Sequence, residues 1–312
     1  MLVCVACTGY KGEITNQIIE HIENYYLSEE GIVLNFKNAE NPQYLSESIG
    51  LYMQLLLGVR DRERFAGQVD ILLDRFAVFK DDYMFIKWEL GENTTVGALI
   101  DDLRIARVLS MAADIFEEEE YKKIAEKIIF TIKNTMIVDN RLVDFYDWHY
   151  NIAKDQLFLS YFIVEAMADF PDYVFKPLQE LTASPFFDEL YVNGKFLKAS
   201  EDEVNMIDQS LIAVAYFRQV GEVEPNFQNF LQTRLEEDGK IFARYSRDTL
   251  RHVNENQSPA TYAFLLHYFE LTNQLNHAAK VRELLLLMET YNAEITHFFD
   301  FSNKKLALLG LL

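Results

Sequence analysis

Apolar residues recur at helical spacing along almost the whole chain, and this periodicity limits the possible folds more than any other feature. Ile14, Ile18, Ile22 and Tyr25 share one helix face; Phe65, Val69, Leu72, Phe76 and Phe79 share another; Ile124, Ile128, Ile132 and Met136 form a third. The pattern predicts helices over 14–27, 45–58, 62–79, 98–116, 120–136, 154–169, 174–183, 206–219, 225–235, 258–272, 274–291 and 303–311. Breakers are scarce, with 12 glycines and 6 prolines in 312 residues, too few for the tight turns of a β-sandwich. Half the residues are apolar, enough to bury a core without disulfides or metals.

The connections alternate. Gly58 to Asp61 and Glu117 to Glu120 are short, whereas 28–44, 80–97, 137–153, 184–205 and 236–257 are long and rich in polar and aromatic residues. Two of the long ones contain β-like runs, 31–36 and 189–197, the second with the hairpin signal Asn193-Gly194. Helical hairpins with short turns at one end and long loops at the other describe an all-α fold. No repeat of fixed length marks a solenoid. The expectation is an (α/α)6 toroid of about twelve helices, with short β-hairpins in the long loops and a cleft at the loop end. No linker rich in Pro, Gly and Ser divides the chain, so residues 11–312 read as a single domain.

The formal charge is −20, with a pI near 4.7, which repels phosphate backbones and anionic lipid heads. Nucleic acid is therefore excluded as a partner, and a neutral or cationic substrate is favoured. Cys4 and Cys7, the two cysteines, provide no disulfide framework. The run from Met1 to Cys7 resembles the tail of an export or lipoprotein-type signal without its basic start, and residues 1–10 are read as its remnant. The expected location is extracellular or at the cell surface, with membrane attachment only through the missing part of that signal. No later segment approaches the ~20 apolar residues of a membrane span. The six histidines lack metal-ligand spacing, and neither a Gly-rich phosphate loop nor a Gly-x-Ser-x-Gly elbow occurs, so no metal and no cofactor is expected.

Three acidic positions open apolar helices. Glu47 lies in Leu45-Ser46-Glu47-Ser48-Ile49-Gly50-Leu51-Tyr52-Met53, one residue after the candidate cap Ser46 and so too early for a capping box. Burial there, beside Tyr52, would raise its pKa as a proton donor requires. Asp101 and Asp102 begin Leu103-Arg104-Ile105-Ala106, where acids also complement the helix dipole. Asp208 opens Gln209-Ser210-Leu211-Ile212-Ala213 and could serve simply as a first-turn residue. Aromatic residues in or near the loops, Trp88, Tyr146, Trp148, Tyr150 and Tyr245, together with Tyr52, are candidate platforms for a sugar ring.

These segments resemble glycoside hydrolase family 8. Ser46-Glu47-Ser48-Ile49-Gly50-Leu51-Tyr52-Met53 is similar to the family's Ser-Glu-Gly-x-x-Tyr-Gly-Met, with Gly and Tyr displaced. Phe85-Ile86-Lys87-Trp88-Glu89-Leu90 looks like its Gly-Leu-Met-x-Trp-Lys-Ile stretch. Ala98-Leu99-Ile100-Asp101-Asp102-Leu103-Arg104-Ile105-Ala106 runs along Ala-Thr-Asp-Ala-Asp-x-x-Ile-Ala without a gap. The order and spacing agree over roughly residues 45–135. The family's first motif Asp falls on Ile100, and the Arg, Pro and Trp that follow its general base are absent after Asp208. The resemblance is therefore to a divergent branch, similar to exopolysaccharide hydrolases.

The resemblance implies an (α/α)6 catalytic domain and an inverting mechanism. Glu47 would protonate the glycosidic oxygen and Asp208 would activate water, with the two carboxyls at the ~6.5–9.5 Å separation of inverting pairs. Asp101 or Asp102 would hold the sugar at the reacting subsite. The expected partner is a bacterial extracellular polysaccharide bound by a monomer. The alternative is a toroid that binds glycan without cutting it. A polysaccharide lyase fits less well, because the candidate cleft segments are rich in acids rather than in the basic residues that bind a uronate.

Overall fold

The computed structural model describes residues 4–37 and 39–312, with side chains described from residue 15 onward. The proposed signal remnant at 1–10 lies outside these described side chains; only its backbone from Cys4 is placed, as the start of α1 (Cys4–Tyr25). The fold is mostly helical. After α1 come α2 (Ser46–Gly58), α3 (Arg62–Ile71), α4 (Leu99–Phe116), α5 (Glu119–Thr135), α6 (Lys176–Glu180), α7 (Met206–Val220), α8 (Pro225–Glu237), α9 (Pro259–Leu271), α10 (Leu275–Leu287) and α11 (Phe298–Leu309). None among the described residues is long and apolar enough to cross a membrane.

Local chemistry sets these boundaries. The Asn205 side chain caps α7 by accepting from the Ile207 N–H at 3.0 Å, and Gly221, at φ +82°, ends it. Prolines occupy the first turns of α8 and α9, where a missing N–H costs nothing. Glu224 and Ser258 cap those helices by accepting from Phe227 and Thr261. α2 is apolar nearly all round and correspondingly buried.

Two predicted helices are corrected. Residues 154–169 form a strand at Gln156–Phe158, paired antiparallel with Leu190–Val192, followed by 3-10 turns at Leu159–Tyr161 and Val164–Ala166. The cause is competition for backbone donors. The Phe158 N–H donates to Asp144 Oδ1 at 2.6 Å, and the Leu159 N–H to the Glu189 carbonyl at 2.8 Å. Residues 174–183 likewise reduce to a 3-10 turn and the short α6. The predicted helix 62–79 stops early: Ala77–Lys80 leaves it to pair with Tyr83–Ile86. The hairpin signal at Asn193-Gly194 is realised, both residues having positive φ between the strands Leu190–Val192 and Lys195–Leu197. The run 31–36 forms no strand, only an isolated bridge between Leu27 and Val33.

The packing closes on itself. α2 packs on α4, α4 meets the 3-10 turns at 159–166, these meet α7, α7 packs on α9, α9 on α11, and α11 returns to α2. α3, α5 and α10 lie outside, against α2, α4 and α9 respectively. A continuous apolar core, from Ile18 to Ala307, fills the space between.

Candidate active site

Five carboxylates sit in the first turns of ring helices: Glu47 on α2, Asp101 and Asp102 on α4, Asp208 on α7 and Asp300 on α11. Hydrogen bonds tie these helix starts together. Ser46 Oγ donates to Asp101 Oδ2 at 2.9 Å, joining α2 to α4. Ser258 Oγ donates to Asp300 Oδ1 at 3.1 Å, joining α9 to α11. At the opposite end, the Gln54 side-chain amide donates to the Leu311 carbonyl.

Glu47 is half-buried. Loss of solvent pushes its pKa up to about 8; the charges of Asp101 and Asp300 add to the rise, and Arg104 opposes it. Asp101 is buried, and its Oδ1 accepts from Arg104 Nη1 at 2.6 Å. Burial raises its pKa too, but the Arg104 guanidinium and the Ser46 hydroxyl hold that rise back. Between the two acids, the ion-paired Asp101 is the better carboxylate and Glu47 the better holder of a proton.

Asp208 is half-buried, with a pKa raised by burial. Ser160 lies near enough to limit that rise without closing a hydrogen bond on it, and Arg244 acts in the same direction. Tyr161, in the segment misread as a helix, relates the acids to one another. After burial, the charges that raise its phenol pKa are those of Asp144, Asp101, Asp208 and Glu47. Beside Asp208, Gln209 donates to Glu189, which also holds a buried ion pair with Arg247. This network fixes the loops 184–205 and 236–257 to the start of α7.

The remaining predicted site residues divide. Asp102 is not brought to Glu47. One position along the helix from Asp101, it is buried against Gly97, its Oδ1 has no hydrogen-bond partner, and its pKa is well raised by burial. Tyr52 is corrected as a sugar platform, since it is 1% exposed. Five residues at ~100° each turn it about 140° away from Glu47, toward Glu23, Asp61 and Arg64. Glu47 is therefore buried beside Asp101 rather than beside Tyr52. Tyr245 is corrected for the same reason: it is fully buried among Phe186, Phe230 and Phe242. Trp148 is buried and stacked on Phe85, whose ring is also stacked with Tyr146. Trp88 and Tyr150 remain accessible, at 39% and 68% exposure. The Trp88 carbonyl accepts from the Ser46 N–H at 2.9 Å, which places this residue next to Glu47.

Sequence reasoning missed Tyr161, Arg244 and Asp300. Arg104 was legible as the i+3 partner of an acid. Tyr161 was hidden by the helical reading of its segment.

No family model matches the chain. It is 44% identical to PssZ from Listeria monocytogenes, covering 94% of each chain with a TM-score of 0.91. The chain belongs to the family of PssZ, and its fold is that of a divergent family 8 glycosyl hydrolase. The family 8 glycosyl hydrolase Cel10, an endoglucanase from Klebsiella pneumoniae, shares the fold at TM-score 0.67 and 14% identity, covering 94% of this chain and 97% of its own. YdaJ of Bacillus subtilis (strain 168), designated a lipoprotein by its name, is 26% identical over 259 residues, 79% of this chain and 69% of its own.

Proposed function

We propose that this chain is an inverting glycoside hydrolase of the family 8 type, acting on a bacterial extracellular polysaccharide. The observation that carries the reading is that Glu47, Asp101 and Asp208 each stand in the first turn of a ring helix, with the starts of α2 and α4 tied by Ser46 and Asp101 and with all three charges felt at Tyr161. Glu47, protonated near neutral pH, donates to the glycosidic oxygen. Asp208 takes a proton from water on the opposite face of the sugar. Asp101, fixed by Arg104 and Ser46, binds the sugar between them, and Trp88 and Tyr150 supply stacking surface. The closed succession of helices supports an (α/α)6 toroid formed by one domain, in which two 3-10 turns replace one inner helix. The name of YdaJ supports a cell-surface location.

The test is reducing-end release from a panel of bacterial exopolysaccharides, with anomeric configuration followed by NMR. Product of inverted configuration from the wild type and none from Glu47→Gln is expected; a retained anomer rejects the mechanism. A second reading has one specific support: the family's first motif Asp is Ile100 here, a residue that faces the interior cavity. That reading is a glycan-binding ring without cleavage, and binding with no release from any of the panel would favour it.

A further inference from the structure

Beneath the acids, on the same helix faces, lies a cavity of about 100 Å3. Leu51 and Gln54 follow Glu47 by four and seven residues; Arg104, Leu211 and Asn303 each follow a first-turn aspartate by three. Such spacings keep one helix face and descend ~4.5–10.5 Å along the axis. The cavity therefore lies inside the ring, one to two turns below the candidate active site.

Its charges do not cancel. Arg104 is paired with Asp101, and Arg218 with Glu165 through Nε and Oε1 at 2.7 Å. Arg107, half-buried and lining the cavity, makes no ion pair or hydrogen bond among the described residues. Ser160 also lines it, 1% exposed, with a hydroxyl that has no hydrogen-bond partner. His267 also lines it, its pKa lowered by burial and by Arg218 and Arg107, against the opposing charge of Glu165. Glu165, the opposite charge that acts most on Arg107, is committed to Arg218, which leaves the half-buried Arg107 guanidinium without a hydrogen-bonded partner; a serine hydroxyl without a partner on the same cavity is a second unmet demand.

We propose that this cavity binds a small monovalent anion of the chloride class, held by the Arg107 guanidinium and the Ser160 hydroxyl. The volume admits such an ion with one or two waters, each occupying ~30 Å3. Arg107 and Glu165 also line the groove between α4 and α5, a concavity of about 740 Å3, so the two spaces adjoin at these side chains. Ser160 also lies beside Asp208, but the test reads anion binding rather than hydrolysis, so failure of this proposal and failure of the hydrolase reading are distinguishable.

The test uses the intact chain. Thermal unfolding is followed while sodium gluconate is exchanged for sodium chloride at constant ionic strength, and crystals soaked in bromide are examined for anomalous scattering. The wild type is expected to gain a few degrees of Tm with saturable dependence on chloride, as ligand linkage requires. Arg107→Met should abolish this dependence. Ser160→Ala should raise the half-saturating chloride concentration about tenfold, the worth of a hydrogen bond to a charged group. A bromide peak should lie within hydrogen-bond distance of Arg107. Equal chloride dependence in wild type and Arg107→Met, or bromide at surface positions only, overturns the proposal. If Arg107→Met does not fold, the bromide map of the wild type decides alone.

Discussion

Glu47 holds its proton because burial and the neighbouring Asp101 charge both penalise its anion, while Arg104 is committed to Asp101. The pH dependence follows. Activity that needs protonated Glu47 is lost as pH rises through about 8, and its acid limb lies above the ordinary aspartate range because Asp208 is also raised. A pH–rate profile checks both limbs. Glu47→Gln should lower turnover about 10²–10⁴-fold. Stability has its own sign. The folded chain keeps a proton on Glu47 that the unfolded chain releases near 4.5, so stability falls as pH rises from there toward 8. Glu47→Gln should remove that fall, which denaturation at pH 5 and pH 8 measures. Asp101→Ala leaves the Arg104 guanidinium, 8% exposed, without its partner, and urea unfolding should record a loss of about 3–5 kcal/mol. Glu47 and Asp101 were legible because short-range pattern places acids at helix starts. The difference between Asp101 and Asp102 was not, because a rotation of ~100° decides which one meets Ser46.

At the scale of elements, helix ends were read to within a few residues wherever caps and prolines mark them, as at α7, α8 and α9. The failures lie where a partner distant in sequence claims the backbone. Residues 156–158 became a strand because Leu190–Val192 lies beside them, and no local signal announces that. Ser258 joins two elements, capping α9 and donating to Asp300 on α11. Ser258→Ala should therefore cost about 1–2 kcal/mol, at the upper end for a cap, in chemical denaturation. Gly97 marks a close approach between the loop 80–97 and α4. A Cβ there would lie 2.7 Å from the Ile86 carbonyl oxygen and 3.1 Å from Asp102 Oδ2. Gly97→Ala should destabilise the chain by about 1–3 kcal/mol, seen as a lower Tm.

For the whole molecule, closure depends on α11, which packs on both α9 and α2. Phe301 is fully buried there, its ring 5.5 Å from Tyr26 and 6.5 Å from Phe298. Phe301→Ala should cost about 3–5 kcal/mol and shift far-UV circular dichroism and tryptophan fluorescence transitions together, since Trp88 and Trp148 lie outside α11, in the loops 80–97 and 137–153. Separate transitions would show that the ring opens in parts. The sequence by itself determined that this chain is mostly helical, that its long loops carry short hairpins, and that Glu47, Asp101 and Asp208 begin apolar helices. These are consequences of 3.6-residue periodicity and of capping chemistry, both local. Only the tertiary structure decided that the helix succession closes on itself, that Tyr161 feels the charges of acids from separate elements, that Tyr52 and Tyr245 face the core, and that Arg107 is left without an ion-pair partner. Each of these depends on which residues distant in the chain come within a few ångströms, and local periodicity carries no information about that.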